Sequence, residues 1–158
     1  MPNEQQEIIK QNAYVESMRY MSNAKETLQR ARKENNRYED QKYVRTACGT
    51  AYNGVLLALD AYLQLKAVEM PTKKRRSIEF YTANVGMLDG KLLKELNDAY
   101  QILHLYGYYD GIQVASVVKA GFDVAFRIIE RIKPEHVPEA PVRSAKSSLL
   151  KQMMSLFI

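Results

Sequence analysis

Two histidines, one cysteine and one carboxylate set among leucines are the side chains of this chain best suited to chemistry. His104 stands between Leu103 and Leu105, beside an apolar stripe, and His136 sits in a proline-rich stretch. A metal-binding helix would show a spacing such as His-Glu-x-x-His, and a di-iron bundle would repeat Glu-x-x-His. Neither pattern occurs. Cys48 is the only cysteine, which excludes an internal disulfide and every multi-cysteine metal motif. With Ala47, Gly49 and Ala51 around it, it reads as a small core residue. Asp60 interrupts Leu56-Leu57-Ala58-Leu59. If buried, its carboxylate needs a partner, for which an arginine from the first or last helix is expected; otherwise it marks a narrow polar face. No Gly-x-Ser-x-Gly elbow, Gly-x-Gly-x-x-Gly turn or Walker loop is present. The sequence argues against an enzyme, and no catalytic residue, cofactor or metal ligand is expected.

Contact chemistry is better represented. There are eleven tyrosines and no tryptophan, and Tyr106, Tyr108 and Tyr109 crowd around Gly107 just before Asp110-Gly111. Amphipathic rings at a turn suit either the end of a bundle or an interaction surface. Lys73, Lys74, Arg75 and Arg76 form the one strongly basic run, with Tyr81 close by, and are candidate phosphate contacts. The net charge is +5, but nucleic-acid capture calls for a wider basic surface than one run of four.

The elements that must position these residues are helices. Apolar residues recur at helical spacing from residue 4 to about 34, from 40 to 69, from Ser77 through Leu103, and from Val114 to Ile132. The second segment is apolar over half its circumference, so it must touch more than one neighbour. Ser77 is the expected N-cap of a short helix after the basic loop, Asp89-Gly90 a turn or irregularity, and Tyr106–Gly111 a helix end and tight corner. No segment alternates as a half-buried strand would. The expected fold is all-α: an up-and-down four-helix bundle with an additional short helix after the basic loop and a C-terminal amphipathic helix. Residues 1–133 form the bundle, 134–141 a proline-rich linker, and 142–158 a tail that packs on the bundle or on a partner subunit. Leu149, Met153, Leu156 and Phe157 carry the tail's apolar side and join the tyrosines as candidate interaction residues. With 46% hydrophobic and 26% charged residues the chain has the balance of a soluble domain, without a membrane-length apolar run or a secretory signal. A cytoplasmic location is expected.

The segment Tyr43 to Tyr52, with its small residues, and the aromatic Tyr106–Gly111 segment resemble the HEPN-like superfamily of helical bundles over about residues 10–133. More closely, the chain looks like an uncharacterised family of small helical proteins from Bacteroidetes-type bacteria. The resemblance implies a helical bundle that is either a ribonuclease or a binding companion of another protein. HEPN ribonucleases carry an arginine four to six residues before a histidine. His104 has no such arginine, and Arg131 with His136 fits the spacing only across Pro134, a helix breaker. The leading expectation is a non-catalytic bundle acting through protein contacts, as a homo-oligomer or with another protein. The alternative is an RNA-binding or ribonuclease-related protein.

Overall fold

Local sequence signals account for most helix boundaries. The computed structural model describes residues 3–71 and 76–138. Helix α1 (Glu4–Gln29) starts where the Asn3 side chain accepts from the Gln6 amide, and α2 (Gln41–Leu65) where Asp40 accepts from Lys42. Between them lies a minimal hairpin, β1 (Lys33–Glu34) paired antiparallel with β2 (Arg37–Tyr38). Its Asn35 and Asn36 both have positive φ, as a two-residue turn of this hand requires. Two-residue strands are too short to show alternation, so the sequence reads here only as a turn. Helix α1 also ends earlier than its apolar pattern, because the Ala31 carbonyl turns to accept the Glu39 and Asp40 amides.

Pro71 is not what stops α2. Ala67, at φ 58°, lets the Val68 amide return to the Leu63 carbonyl at 3.0 Å, a left-handed cap that ends the helix at Leu65, four residues short of Glu69 where the apolar pattern runs out. Helix α3 (Ile78–Leu88) is the expected short helix, and Ser77 caps it by accepting from the Phe80 amide. Asp89 then ends α3 and caps α4 (Gly90–Ala99), accepting from the Lys91 and Leu92 amides. From α4 the chain continues without a break into a ten-residue π-helix (Tyr100–Tyr109). Geometry of this kind usually occurs as single-turn bulges. The corner expected at Tyr106 is therefore helical through Tyr109, and the turn falls at Asp110-Gly111, where Gly111 has φ 64°. Helix α5 (Ala115–Glu130) completes an all-α bundle in which the described residues are 74% helical.

Helix α2 is the hub, packing against α1, the π-helix and α5 and touching α3. Eleven of its residues are buried, including Val44, Cys48, Val55, Leu59 and Leu63, which is the breadth that its half-apolar circumference demands. Val118, Phe122, Ala125, Ile128 and Ile129 of α5, with Ile132 just beyond its end, close the core from this side. The surface pair of α5 is Lys119 with Asp123 at 2.8 Å, whereas Arg127 turns to Glu95 on α4 at 3.3 Å. Within the stretch expected as a linker, Pro134 is buried, the Glu135 amide donates to Glu7 and the His136 carbonyl accepts from Gln11, so residues 134–138 lie along α1.

Helix α5 has no side-chain cap of its own. The hairpin supplies one from a distance: the Asn36 side-chain oxygen accepts from the Ser116 amide at 2.9 Å, and its carbonyl accepts from Ala115. Replacing Asn36 with Ala removes the cap oxygen and places an ordinary side chain at positive φ. Urea unfolding of Asn36→Ala should show a loss of about 2 kcal/mol, and Asn36→Gly, which keeps the turn and loses only the side-chain bonds to Ser116, a smaller one.

Candidate functional site

A cleft of about 900 Å³ opens where α2, the start of α3 and the π-helix meet, with Tyr20 of α1 at its edge. Its most distinctive wall belongs to the π-helix. The His104 ring is stacked near-parallel with Tyr100 (centroids 5.1 Å apart, planes at 26°) and with Tyr108 (5.9 Å, 22°). Tyr52 of α2 leans on the same imidazole at 4.9 Å, and Tyr109 meets it edge-on at 5.0 Å. The helix thus turns an interval of four residues into a continuous ladder of rings. Burial holds the His104 imidazole below its ordinary pKa, so it is neutral at neutral pH.

Three features of α2 place this wall. Arg45 donates to the Tyr108, Tyr109 and Asp110 carbonyls, covering acceptors that the end of the π-helix leaves open. Gly49 lets the Tyr108 ring lie against the helix, since a Cβ there would stand 3.1 Å from it. Cys48 packs against Gly107 so closely that no side chain fits at 107. Burial pushes the Cys48 thiol up to about 12, which makes it an inert packing group.

The far end of the cleft is polar. Asp60 accepts from the Tyr81 hydroxyl at 2.8 Å and from the Arg76 guanidinium at 3.2 Å. Its partners are the last residue of the basic run and a tyrosine of α3, not an arginine of the first or last helix. Tyr81 is buried and engaged with this carboxylate, so it offers no free ring for stacking on a base. Desolvation raises the Asp60 pKa above its ordinary 3.8, opposed by the Tyr81 hydrogen bond and by Arg76. A raised native pKa means that the native state holds the proton more tightly than the unfolded chain does. The resulting stability is present at low pH and lost as pH rises through the native value. Asp60→Asn keeps an acceptor for Tyr81 and removes this penalty. The change in melting temperature on substitution should therefore be more favourable at pH 7 than at pH 3, as calorimetry at the two values would show.

The residues singled out from the sequence separate in space. Tyr108 and Tyr109 line the cleft, 47% and 59% exposed, whereas Tyr106, 40% exposed, is not part of its lining. Arg76 lies at the polar end; Lys73, Lys74 and Arg75 lie outside the described residues, as do Leu149, Met153, Leu156 and Phe157. Arg131 bridges Asp89 at 2.6 Å and Glu95 at 2.8 Å, while His136 is exposed on the segment along α1. Among the described residues no three His, Cys, Asp or Glu side chains gather as a metal ion would need, and no helix is long and apolar enough to cross a membrane. Sequence reasoning reached Tyr108, Tyr109 and Asp60 but missed Tyr52 and Tyr100 as lining residues and placed His104 beside a stripe. The signal available was the interval Tyr100, His104, Tyr108, which a helix of any kind places on adjacent turns.

A protein-family model described as Domain of unknown function (DUF5618) matches residues 12–134. The chain belongs to this family. The match falls on nearly the residues over which an uncharacterised helical family is expected, and it contains every residue that lines the cleft. A solved structure described as a protein of unknown function from Dyadobacter fermentans is similar to this DUF5618 chain at 39% identity and a TM-score of 0.69, covering 78% of this chain and 94% of that one. No curated protein matches. The tail, residues 142–158, falls outside the DUF5618 match.

Proposed function

We propose that this protein is a non-catalytic binding module of the cytoplasm that acts through protein contacts, with the aromatic wall of the cleft as its recognition surface. The observation that carries this reading is the ring ladder itself: half-exposed Tyr108 and Tyr109 extend a stack that is anchored by the more buried Tyr52 and Tyr100. Rigid rings with polar tips are the residues that dominate protein interfaces, because they bury much area at little cost in rotamer entropy. The alternative of RNA binding finds less support in the cleft, since its Arg76 is already paired with Asp60. The ribonuclease alternative needs Arg131 free to act beside His136, but its guanidinium is committed to two carboxylates. A HEPN-like kinship without the catalytic pair belongs to the same proposal, supported by the helix lengths, the small residues of α2 and the aromatic segment before α5.

Affinity capture with the whole chain, compared with a Tyr108→Ser/Tyr109→Ser variant of equal melting temperature, tests the proposal. The expected result is a protein retained by the wild type whose affinity, measured after purification, is weakened about tenfold or more by the variant. Equal affinity for both chains, or retention of nucleic acid alone, would overturn it.

A second reading, self-association, is favoured by apolar side chains away from the cleft: Met87 is 86% exposed and Leu88 43%. Under this reading the apolar side of the tail contributes as well. Light scattering of the whole chain and of a chain ending at Pro141 should then give a larger mass for the whole chain, and equal monomeric masses would remove the reading.

A further inference from the structure

Helix α3 is apolar on every side, yet little of it is covered. Six of its eleven residues, Ile78, Phe80, Tyr81, Val85, Met87 and Leu88, are large and apolar, but only Tyr81 and Val85 are buried. A helix of that composition belongs inside a core. Here it packs mainly on α4, only touches α2, and leaves Met87 and Leu88 facing solvent. We propose that the amphipathic segment 142–158 of the same chain folds back across this end of the bundle and covers Met87 and Leu88. The proposal is independent of what the cleft binds. It fills within one chain the face that the self-association reading gives to a second copy.

Three observations name the chain's own tail as the occupant. The first is where the described chain ends. Arg131 bridges Asp89, the residue after Leu88, at 2.6 Å, so the end of α5 stands at the α3–α4 elbow. From there the Glu135 amide donates to Glu7 at 3.0 Å, and the His136 carbonyl accepts from Gln11 at 3.3 Å. Pro138 follows two residues later, at the same end of the bundle as Met87 and Leu88 and close to exposed Ile8. Residues 139–142 span at most about 14 Å, which keeps the start of the tail at this end. As a helix, 142–158 extends about 25 Å, enough to cross the end of a small bundle from α1 to α3.

The second observation is complementarity. Exposed large hydrophobic side chains among the described residues form two chemically distinct groups. Tyr106, Tyr108 and Tyr109 lie on the π-helix, which Arg45 holds near the start of α2. Ile8, Met87 and Leu88 lie at the other end, where Asp89 and Arg131 act on Tyr62 near the end of α2. Tyrosines keep a polar tip for water, whereas aliphatic side chains gain only by being covered. Between residues 149 and 158 seven side chains are Leu, Met, Phe or Ile, and the adjacent Met153 and Met154 suit an irregular surface.

The third is an unanswered acceptor beside the exit. The second carboxylate oxygen of Glu7 is buried and has no hydrogen-bond partner among the described residues. A desolvated acceptor of this kind is costly unless a donor reaches it. The tail supplies Arg143 and Lys146 soon after Pro141 and holds no acidic residue. Once docked, it also clamps α3, whose first turn carries Ile78 and Tyr81 into the lining of the cleft.

A nitroxide label attached through Ser155→Cys, on the polar side of the tail's helical pattern, tests the contact in the whole chain. Cys48 does not compete for the label, because it is buried and its thiol is pushed up to about 12. The amides of Met87 and Leu88 should lose most of their signal to the label, whereas those of Tyr108 and Tyr109 keep theirs. Leu149→Ser/Met153→Ser should restore the lost signal and quicken exchange of the Ile78 and Tyr81 amides severalfold. Met87→Ser/Leu88→Ser, at exposed positions that leave the fold intact, should restore the signal of Gly86 and Asp89. Mixing isotope-labelled chains with separate nitroxide-labelled ones should give no loss. Loss seen only in that mixture would assign the face to a second copy's tail and overturn the proposal. Loss centred on Tyr108 and Tyr109, no localised loss, or loss unchanged in Leu149→Ser/Met153→Ser would overturn it as well. Unchanged exchange at Ile78 and Tyr81 would overturn the clamp.

Discussion

Gly107→Ala should cost about 3 kcal/mol of stability, a large effect for the addition of one methyl group. Gly107 is buried, and a Cβ at this position would stand 2.4 Å from Cys48 Sγ, 2.5 Å from Cys48 Cβ and 3.2 Å from the Ile102 carbonyl. None of these is the free end of a flexible chain, so relief requires the π-helix to move away from α2. Urea unfolding measures the loss, and two double variants give it a mechanism. Cys48→Ala removes the sulfur but keeps the Cβ contact, so it should rescue little. Cys48→Gly removes both and costs about 1 kcal/mol in helix propensity, so the Gly107→Ala/Cys48→Gly protein should be the more stable of the two. A Gly107→Ala protein as stable as wild type would show that the two helices do not pack this closely. Tyr108 rests on Gly49 one residue further along both helices, so displacement of the π-helix should also weaken whatever the ring wall binds.

Gly107 also shows where reading from sequence succeeds and fails. A glycine among tyrosines, followed by Asp110-Gly111, suggests the end of a helix, because glycine most often marks a change of backbone direction. Only Gly111 has that role here. Gly107 is helical, and its missing side chain serves close approach, a reason invisible without the partner Cys48. The boundaries set by local chemistry, such as Ser77 before α3 and Asp89 between α3 and α4, could be read directly, as could the inward face of α5. Boundaries set from a distance could not: the hairpin cap on α5 comes from Asn36, and α2 ends on the left-handed Ala67.

The candidate site follows the same division. Asp60 was conspicuous as a carboxylate within an apolar run, since burying a charge without a partner is costly. Its partners, Arg76 and Tyr81, come from beyond the next loop and carry no sequence mark that pairs them with it. Tyr52 and Tyr100 look unremarkable one by one, and Tyr108 stands out only as one of a cluster of tyrosines. They become a surface only when the π-helix is laid against α2, a tertiary event that no local pattern encodes.

Arg131→Met is expected to be the other strongly destabilising substitution, at about 3 kcal/mol. The Arg131 guanidinium joins α5 to the α3–α4 elbow, donating to Asp89 at 2.6 Å and to Glu95 at 2.8 Å. The Glu95 side chain is only 10% exposed, so loss of Arg131 leaves a largely desolvated carboxylate. Arg127, 57% exposed and 3.3 Å away, is a poor substitute because water screens its charge. If the cost is that of a stranded carboxylate, then neutralising Glu95 should recover part of it. The Arg131→Met/Glu95→Gln protein should be more stable than Arg131→Met alone, with a coupling of about 1.5 kcal/mol in a double-mutant cycle. His136→Ala should leave stability unchanged, because the described hydrogen bond of His136 is made by its backbone carbonyl. The elbow also carries α3, and with it the Tyr81 hydroxyl that meets Asp60 at the polar end of the cleft. Amide exchange at Tyr81 and Val85 should therefore quicken in Arg131→Met more than exchange at Val44 and Ala47, near the start of α2 and away from the elbow. Uniform acceleration across all four positions would mean that Arg131 supports the bundle as a whole and not the elbow in particular.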